Sequence, residues 1–158
     1  MSTKPLESAA LGGLYDRDFA VWCDETARLL RAGRLAAIDV EHVAEELEAM
    51  AKSDRRQVRS RLRVLILHLL KWEYQPDKRK VGWEKTIATQ RAELELVLED
   101  SPSLQPALPE SIARAYPGAV EDAVRETRPP ADEFPNTCPY TSHQILDSNF
   151  LPQARGSR

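Results

Sequence analysis

Long apolar runs are missing from this 158-residue chain. The longest, Val64 to Leu70, covers seven residues and is interrupted by His68, whereas a membrane span needs roughly 20. The opening stretch, MSTKPLESAALGG, has no charged segment followed by an apolar one, so it does not read as a signal peptide. Only two cysteines occur, Cys23 and Cys138, far apart and in no paired-ligand spacing. That excludes a structural zinc site of the usual kind and makes a reducing cytoplasm the default compartment. Six glycines, none clustered beyond Gly12-Gly13, leave no phosphate-cradling loop and no dinucleotide fingerprint. Gly-x-Ser-x-Gly is absent as well. Aromatic residues make up 6%, which disfavours a base-stacking platform. The net charge of −3 gives no global attraction to nucleic acid or anionic lipid. Alternating strand patterns and internal repeats are also lacking.

What is present is helical. Apolar residues at 42% and charged ones at 30% fit a folded protein. Nine of the 11 prolines fall after Asp100, so long helices are confined to the first 100 residues. Asp16 to Arg31 reads as a first helix capped by Asp16, with Phe19, Trp22, Cys23, Thr26, Leu29 and Leu30 on one face and Gly33 at its end. Asp39 is the next N-cap, with Ile38 and Val43 placed as a hydrophobic staple. Val40, Val43, Leu47 and Met50 form a stripe. Lys52 to Gln57 holds no large apolar residue, and Ser53-Asp54 there favours a break over one helix running from Asp39 to Tyr74. Val58, Leu62, Leu65, Leu69 and Trp72 then keep a 4-3-4-3 spacing, a packing seam at the centre of the core. Trp22, Trp72 and Trp83 are expected to be buried. Pro76 ends that helix, and another runs from about Gly82 to Asp100. Beyond it, Pro102 and Pro109 open helices, Pro117 starts, kinks or interrupts one, and Phe134-Pro135 and Cys138-Pro139-Tyr140 suggest an extended segment anchored by its rings. Thr141 caps a last short helix.

Three constellations bear chemistry. His68 lies in the most buried part of a line Arg61, Val64, His68, Lys71, Gln75. An imidazole there can serve as base, metal ligand or pH-sensitive group. With no second histidine near it, the preferred reading is a core histidine bonded to a carbonyl or carboxylate. Glu45 and Glu46, with Glu41 and Glu48, form an acidic cluster; a turn at Ser53 would let Glu45 or Glu46 meet His68 in a metal or hydrolytic site. No Glu-x-x-His pair supports that, and salt-bridge partners are the plainer reading. Finally, Lys52, Arg55, Arg56, Arg59, Arg61 and Arg63 put six cations in 12 residues, with Lys52, Arg56, Arg59 and Arg63 on one stripe. Such a stripe can read phosphates. Pairing with the acidic stretch 39–50, within or between chains, is simpler, and nucleic acid is disfavoured. The loop cluster Lys78-Arg79-Lys80 adds little.

Several of these elements, taken in order, resemble a bacterial family known only as domain of unknown function number twenty-nine. They are Tyr15-Asp16-x-Asp18-Phe19-x-x-Trp22, Glu45-Glu46-Leu47-Glu48 and Leu67-His68-Leu69-Leu70-Lys71-Trp72-x-Tyr74-Gln75. Trp83-x-x-x-Ile87, Gln90-Arg91, Ser101-Pro102-Ser103-Leu104 and Pro135-x-x-Cys138-Pro139-Tyr140 follow. The match runs from about Leu14 to Pro152. The resemblance implies an all-helical fold and a bacterial cytoplasmic protein, and it brings no activity, substrate or cofactor.

The expectation is therefore an all-α bundle of long amphipathic helices with a proline-rich region of short helices and extended wrap. It forms one domain over 1–152, with a long-helix core at 14–100, a wrap at 101–152 and a disordered end at 153–158. Its leading function is a protein–protein interaction or regulatory module, with either another protein or a second copy of itself as partner, without cofactor or membrane. An enzyme at His68 with Glu45 or Glu46 is the alternative, with His68 and Glu45 as the metal candidates. Nucleic-acid binding by the 52–63 arginine stripe is the other.

Overall fold

The computed structural model describes residues 4–129 and 133–155, with side chains from Leu11 onward. It is all-helical, with no strand among the described residues. Helices α1 (Lys4–Arg17), α2 (Phe19–Arg31), α3 (Val40–Tyr74), α4 (Val81–Asp100), α5 (Leu108–Thr127) and the short α6 (Ser142–Leu146) follow one another, with single 3-10 turns in three of the connections. None of the helices is long and apolar enough to cross a membrane, among the described residues. The chain divides into two compact units, Met1–Lys52 and Ser53–Arg158.

In the first unit, the α2 cap is Asp18 rather than Asp16. Its Oδ1 accepts from the Val21 N–H at 3.1 Å, and the preceding residues continue back as α1. A helix start leaves N–H groups without intrahelical acceptors, and a carboxylate at the N-cap accepts from one of them. Gly33, at φ 67°, turns the chain after α2, a left-handed position that glycine holds without a Cβ clash. Leu11, Trp22, Leu29, Ala37 and Ile38 are buried together, with Tyr15 and Val43 packed against them. The Ile38–Val43 staple is thus formed, and Asp39 Oδ1 accepts from the His42 N–H at 3.4 Å at the start of α3.

The break expected at Ser53 is absent: α3 is one helix of 35 residues. Lys, Arg and Gln are good helix formers, so a polar stretch without Gly or Pro carries the helix on, and Ser53 and Asp54 do not act as caps. Asp54 Oδ2 instead accepts from the Ser101 hydroxyl at 2.9 Å.

The second unit is built on the 4-3-4-3 seam. Val58, Leu62, Leu65 and Leu69 are 0–1% exposed, and they meet Ile87, Leu94 and Leu98 of α4 and Ile112, Ala119 and Ala123 of α5 in one cluster. Burial of a leucine on this scale is worth about 1.5–3 kcal/mol each. Trp83 is buried as expected, but Trp72, at the outer end of the seam, is only half-buried. The Arg79 guanidinium lies 4.3 Å over its ring and donates to the Trp72 carbonyl, so a cation covers what the core does not. Pro117 sits inside α5 without ending it. At Gly118 a Cβ would come within 2.9 Å of the Arg63 guanidinium, which packs there while bonded to Asp122.

The proline-rich segment lies on this bundle. The Tyr116 hydroxyl donates to the Pro135 carbonyl at 2.7 Å. Phe134 packs on Tyr74, with ring centroids 5.0 Å apart. The Arg91 guanidinium, 6% exposed, donates to the Ile145 and Gln144 carbonyls at the end of α6. Thr141 and Gln144 form a capping box at the start of that helix. Arg155, in the stretch expected to be disordered, donates from Nε to Glu73 Oε1 at 3.0 Å; residues 156–158 lie outside the described residues.

Candidate functional site

His68 is half-buried on α3. Its Nδ1–H donates to the Val64 carbonyl at 2.8 Å, one turn back on the same helix. Burial, with Lys71 nearby, holds its pKa below the ordinary histidine value, so the ring is a neutral imidazole near pH 7. The turn that would bring Glu45 or Glu46 back to it does not exist, because α3 is continuous. Among the described residues, no group of three or more His, Cys, Asp or Glu is arranged to hold a metal. Both cysteines are half-buried, and burial pushes the Cys138 thiol pKa up, away from nucleophilic reactivity.

Glu46 has a partner of its own. The Tyr15 hydroxyl donates to Glu46 Oε1 at 2.6 Å, and the Tyr15 ring stacks on His42 with centroids 3.9 Å apart. The His42 Nδ1–H in turn donates to Asp39 Oδ2 at 2.6 Å. The bond to Glu46 and the neighbouring carboxylates push the Tyr15 pKa up to about 12, and Asp39 raises that of His42. This Asp39–His42–Tyr15–Glu46 group was not foreseen. Asp39 and His42 stand one turn apart at a helix start, a local signal that was readable. Tyr15 lies 31 residues from Glu46, and nothing local announces that contact.

The arginine stripe is divided by its surroundings. Arg63 makes a bidentate pair with Asp122, Nε to Oδ2 at 2.6 Å and Nη2 to Oδ1 at 2.7 Å. Arg61 pairs with Glu93 at 3.0 Å. Lys52, Arg55, Arg56 and Arg59 are exposed and make no ion pair among the described residues. The acidic stretch 39–50 and the basic stretch 52–63 follow each other on one helix. Arg61 and Arg63 instead find their partners on α4 and α5.

Within the acidic stretch lies an exposed apolar face. Val40, Leu47 and Met50 are 62–65% exposed, and Ala44 and Ala51 beside them are exposed as well. Val40 and Val58 are about five helical turns apart and share one angular position. The face that forms the buried seam from Val58 onward therefore continues N-terminally as Val40, Ala44, Leu47 and Ala51, where it is open.

The described residues thus define an all-helical domain with an exposed apolar face on α3. The chain is a member of the family described as domain of unknown function DUF29, which it matches over residues 14–151. No curated protein and no solved structure matches it.

Proposed function

We propose that this protein is a helical interaction module of the bacterial cytoplasm that pairs with a second copy of itself through α3. The observation that carries the reading is the open continuation of the core seam at Val40 and Leu47, with exposed Met50 beside it. Exposed apolar residues gathered on one helical face are costly unless something covers them. Charge names the occupant. Glu41, Glu45 and Glu48 flank the face without a cation among them, and Arg55, Arg56 and Arg59 follow on the same helix. Two such helices laid antiparallel, crossing near Met50, set each acidic stretch against the partner's basic one. Leu47, Met50 and Ala51 then lie at the crossing. Flanking charges of this kind set register and orientation in helix pairs.

Light scattering on the full chain tests it. A dimer is expected, converted to a folded monomer by Leu47→Glu with Met50→Glu. Glu45→Arg and Arg55→Glu should each weaken pairing, and the two together in one chain should restore it. A chain that stays monomeric into the millimolar range, or a dimer indifferent to these changes, overturns the proposal.

A further inference from the structure

Where the α3–α4 connection meets the C-terminal end of α5, the second unit holds a cavity of about 690 Å³. Five cations line it: Lys71, Lys78, Arg79, Lys80 and Arg128. Only two described carboxylates, Asp77 and Glu126, share the wall. The local balance is strongly positive in a chain whose net charge is −3. Cations gathered in one concavity repel each other, and an anion bound among them removes that repulsion.

The side chains are held to different degrees. Lys71 is 5% exposed; its Nζ lies 2.6 Å from Glu126 Oε2 and 4.4 Å above the buried Trp83 ring. Glu126 is thereby engaged, and the indole forms a firm wall. Lys78 Nζ donates to the Thr127 carbonyl at 3.3 Å, and Arg79 is fixed on Trp72. These contacts account for Lys78 and Arg79 as partners of nearby carbonyls. They leave Lys80 and Arg128, both exposed and without a counter-ion among the described residues.

One backbone feature falls at the same place. Arg128 is the one described non-glycine residue at positive φ, with φ 54° and ψ 37° at the C-cap of α5. Glycine takes this position without strain, so an arginine there is kept at a conformational cost.

We propose that this cavity binds a small ligand carrying two or more phosphate groups. A single phosphate would meet only part of the charge, whereas a di- or triphosphate carries enough negative charge to answer both Lys80 and Arg128. The concave shape and the single aromatic wall favour a compact anion over a strand of nucleic acid, which needs a groove with successive stacking rings.

Calorimetric titration of the full chain with inorganic triphosphate tests this, with a nucleoside triphosphate and a single-stranded oligonucleotide in parallel. Saturable one-to-one binding is expected, weakened about tenfold or more by Lys80→Ala and by Arg128→Gly. Arg128→Gly should not lower the melting temperature, because it removes the left-handed arginine. Lost affinity in that variant would then be lost contact, not lost fold. Tighter binding of the nucleoside triphosphate would assign the phosphates to a nucleotide, and equal binding to a free phosphate chain; either supports the site. Absence of saturable binding, affinity unchanged in both variants, or oligonucleotide binding that grows with length and displaces triphosphate would overturn it.

Discussion

The Tyr15 hydroxyl donates to Glu46 Oε1 at 2.6 Å, and so joins the start of the family match to the acidic stretch of α3. A carboxylate accepting from a phenol stabilises the protonated phenol and resists a second negative charge beside it. That is why the Tyr15 pKa is pushed up to about 12. Glu46→Gln should bring it back towards the ordinary tyrosine value of 10.0, as followed by ring resonances in an NMR titration. Tyr15→Phe should keep the stack on His42 and destabilise the first unit by loss of the bond alone. A Tyr15 pKa unmoved by Glu46→Gln would show that the contact does not govern it.

The two histidines of α3 predict opposite responses to pH. His42 is raised by its bond to Asp39, so folding favours its protonated form. The stability it contributes is fully present below the unfolded value near 6.5 and is lost as the pH rises through its folded pKa. His68 is lowered by burial, so folding favours its neutral form. Its contribution is present above 6.5 and is lost as the pH falls from there through its folded pKa. Thermal melts between mildly acidic and mildly basic pH should therefore lose their alkaline fall in His42→Gln and part of their acidic fall in His68→Gln. Identical pH profiles in both variants would contradict these assignments.

Local pattern carried much of this fold and little of its tertiary chemistry. The seam Val58, Leu62, Leu65 and Leu69 was legible because period and burial coincide. So were Pro109 at the start of α5 and the Thr141 cap. The break at Ser53 was misread because an absence of apolar residues removes a packing signal and leaves helix propensity intact. Trp72 was misread because the spacing gives an angular position and not where the covering helices end. The weight of Lys78-Arg79-Lys80 was not legible locally, because Arg128, which lines the same cavity, stands far from it in sequence.

Gly118 gives a prediction in which two effects of similar size compete. Alanine in a helix interior is favoured over glycine by about 1 kcal/mol. Its Cβ, however, would come within 2.9 Å of the Arg63 guanidinium and push it off Asp122. The Arg63 side chain is 42% exposed, so solvent screens the pair and its worth is under about 1 kcal/mol. Gly118→Ala should therefore be close to neutral in the native background. In an Asp122→Ala background, where Arg63 is free to move, it should stabilise by about 1 kcal/mol. Chemical denaturation of the four proteins in this cycle measures the difference. Equal effects in both backgrounds would mean that Arg63 swings aside without cost.

Glu73 fastens the C-terminal segment at two points. Its Oε2 accepts from the Tyr140 hydroxyl at 2.7 Å and its Oε1 from Arg155 Nε at 3.0 Å, while its carbonyl accepts from the Arg155 N–H at 2.8 Å. Tyr140 is 6% exposed, so removing the carboxylate leaves a phenol hydroxyl buried without an acceptor. Such a group costs about 1–3 kcal/mol, more than the bond itself contributes. Glu73→Ala should thus destabilise more than Tyr140→Phe, which deletes the hydroxyl along with its need for a partner. The double variant should resemble Tyr140→Phe more than the sum of the two. Limited proteolysis should report the same order, with cleavage between Phe134 and Arg155 fastest in Glu73→Ala. If Tyr140→Phe proves the more damaging change, Tyr140 would have to be held by something other than Glu73.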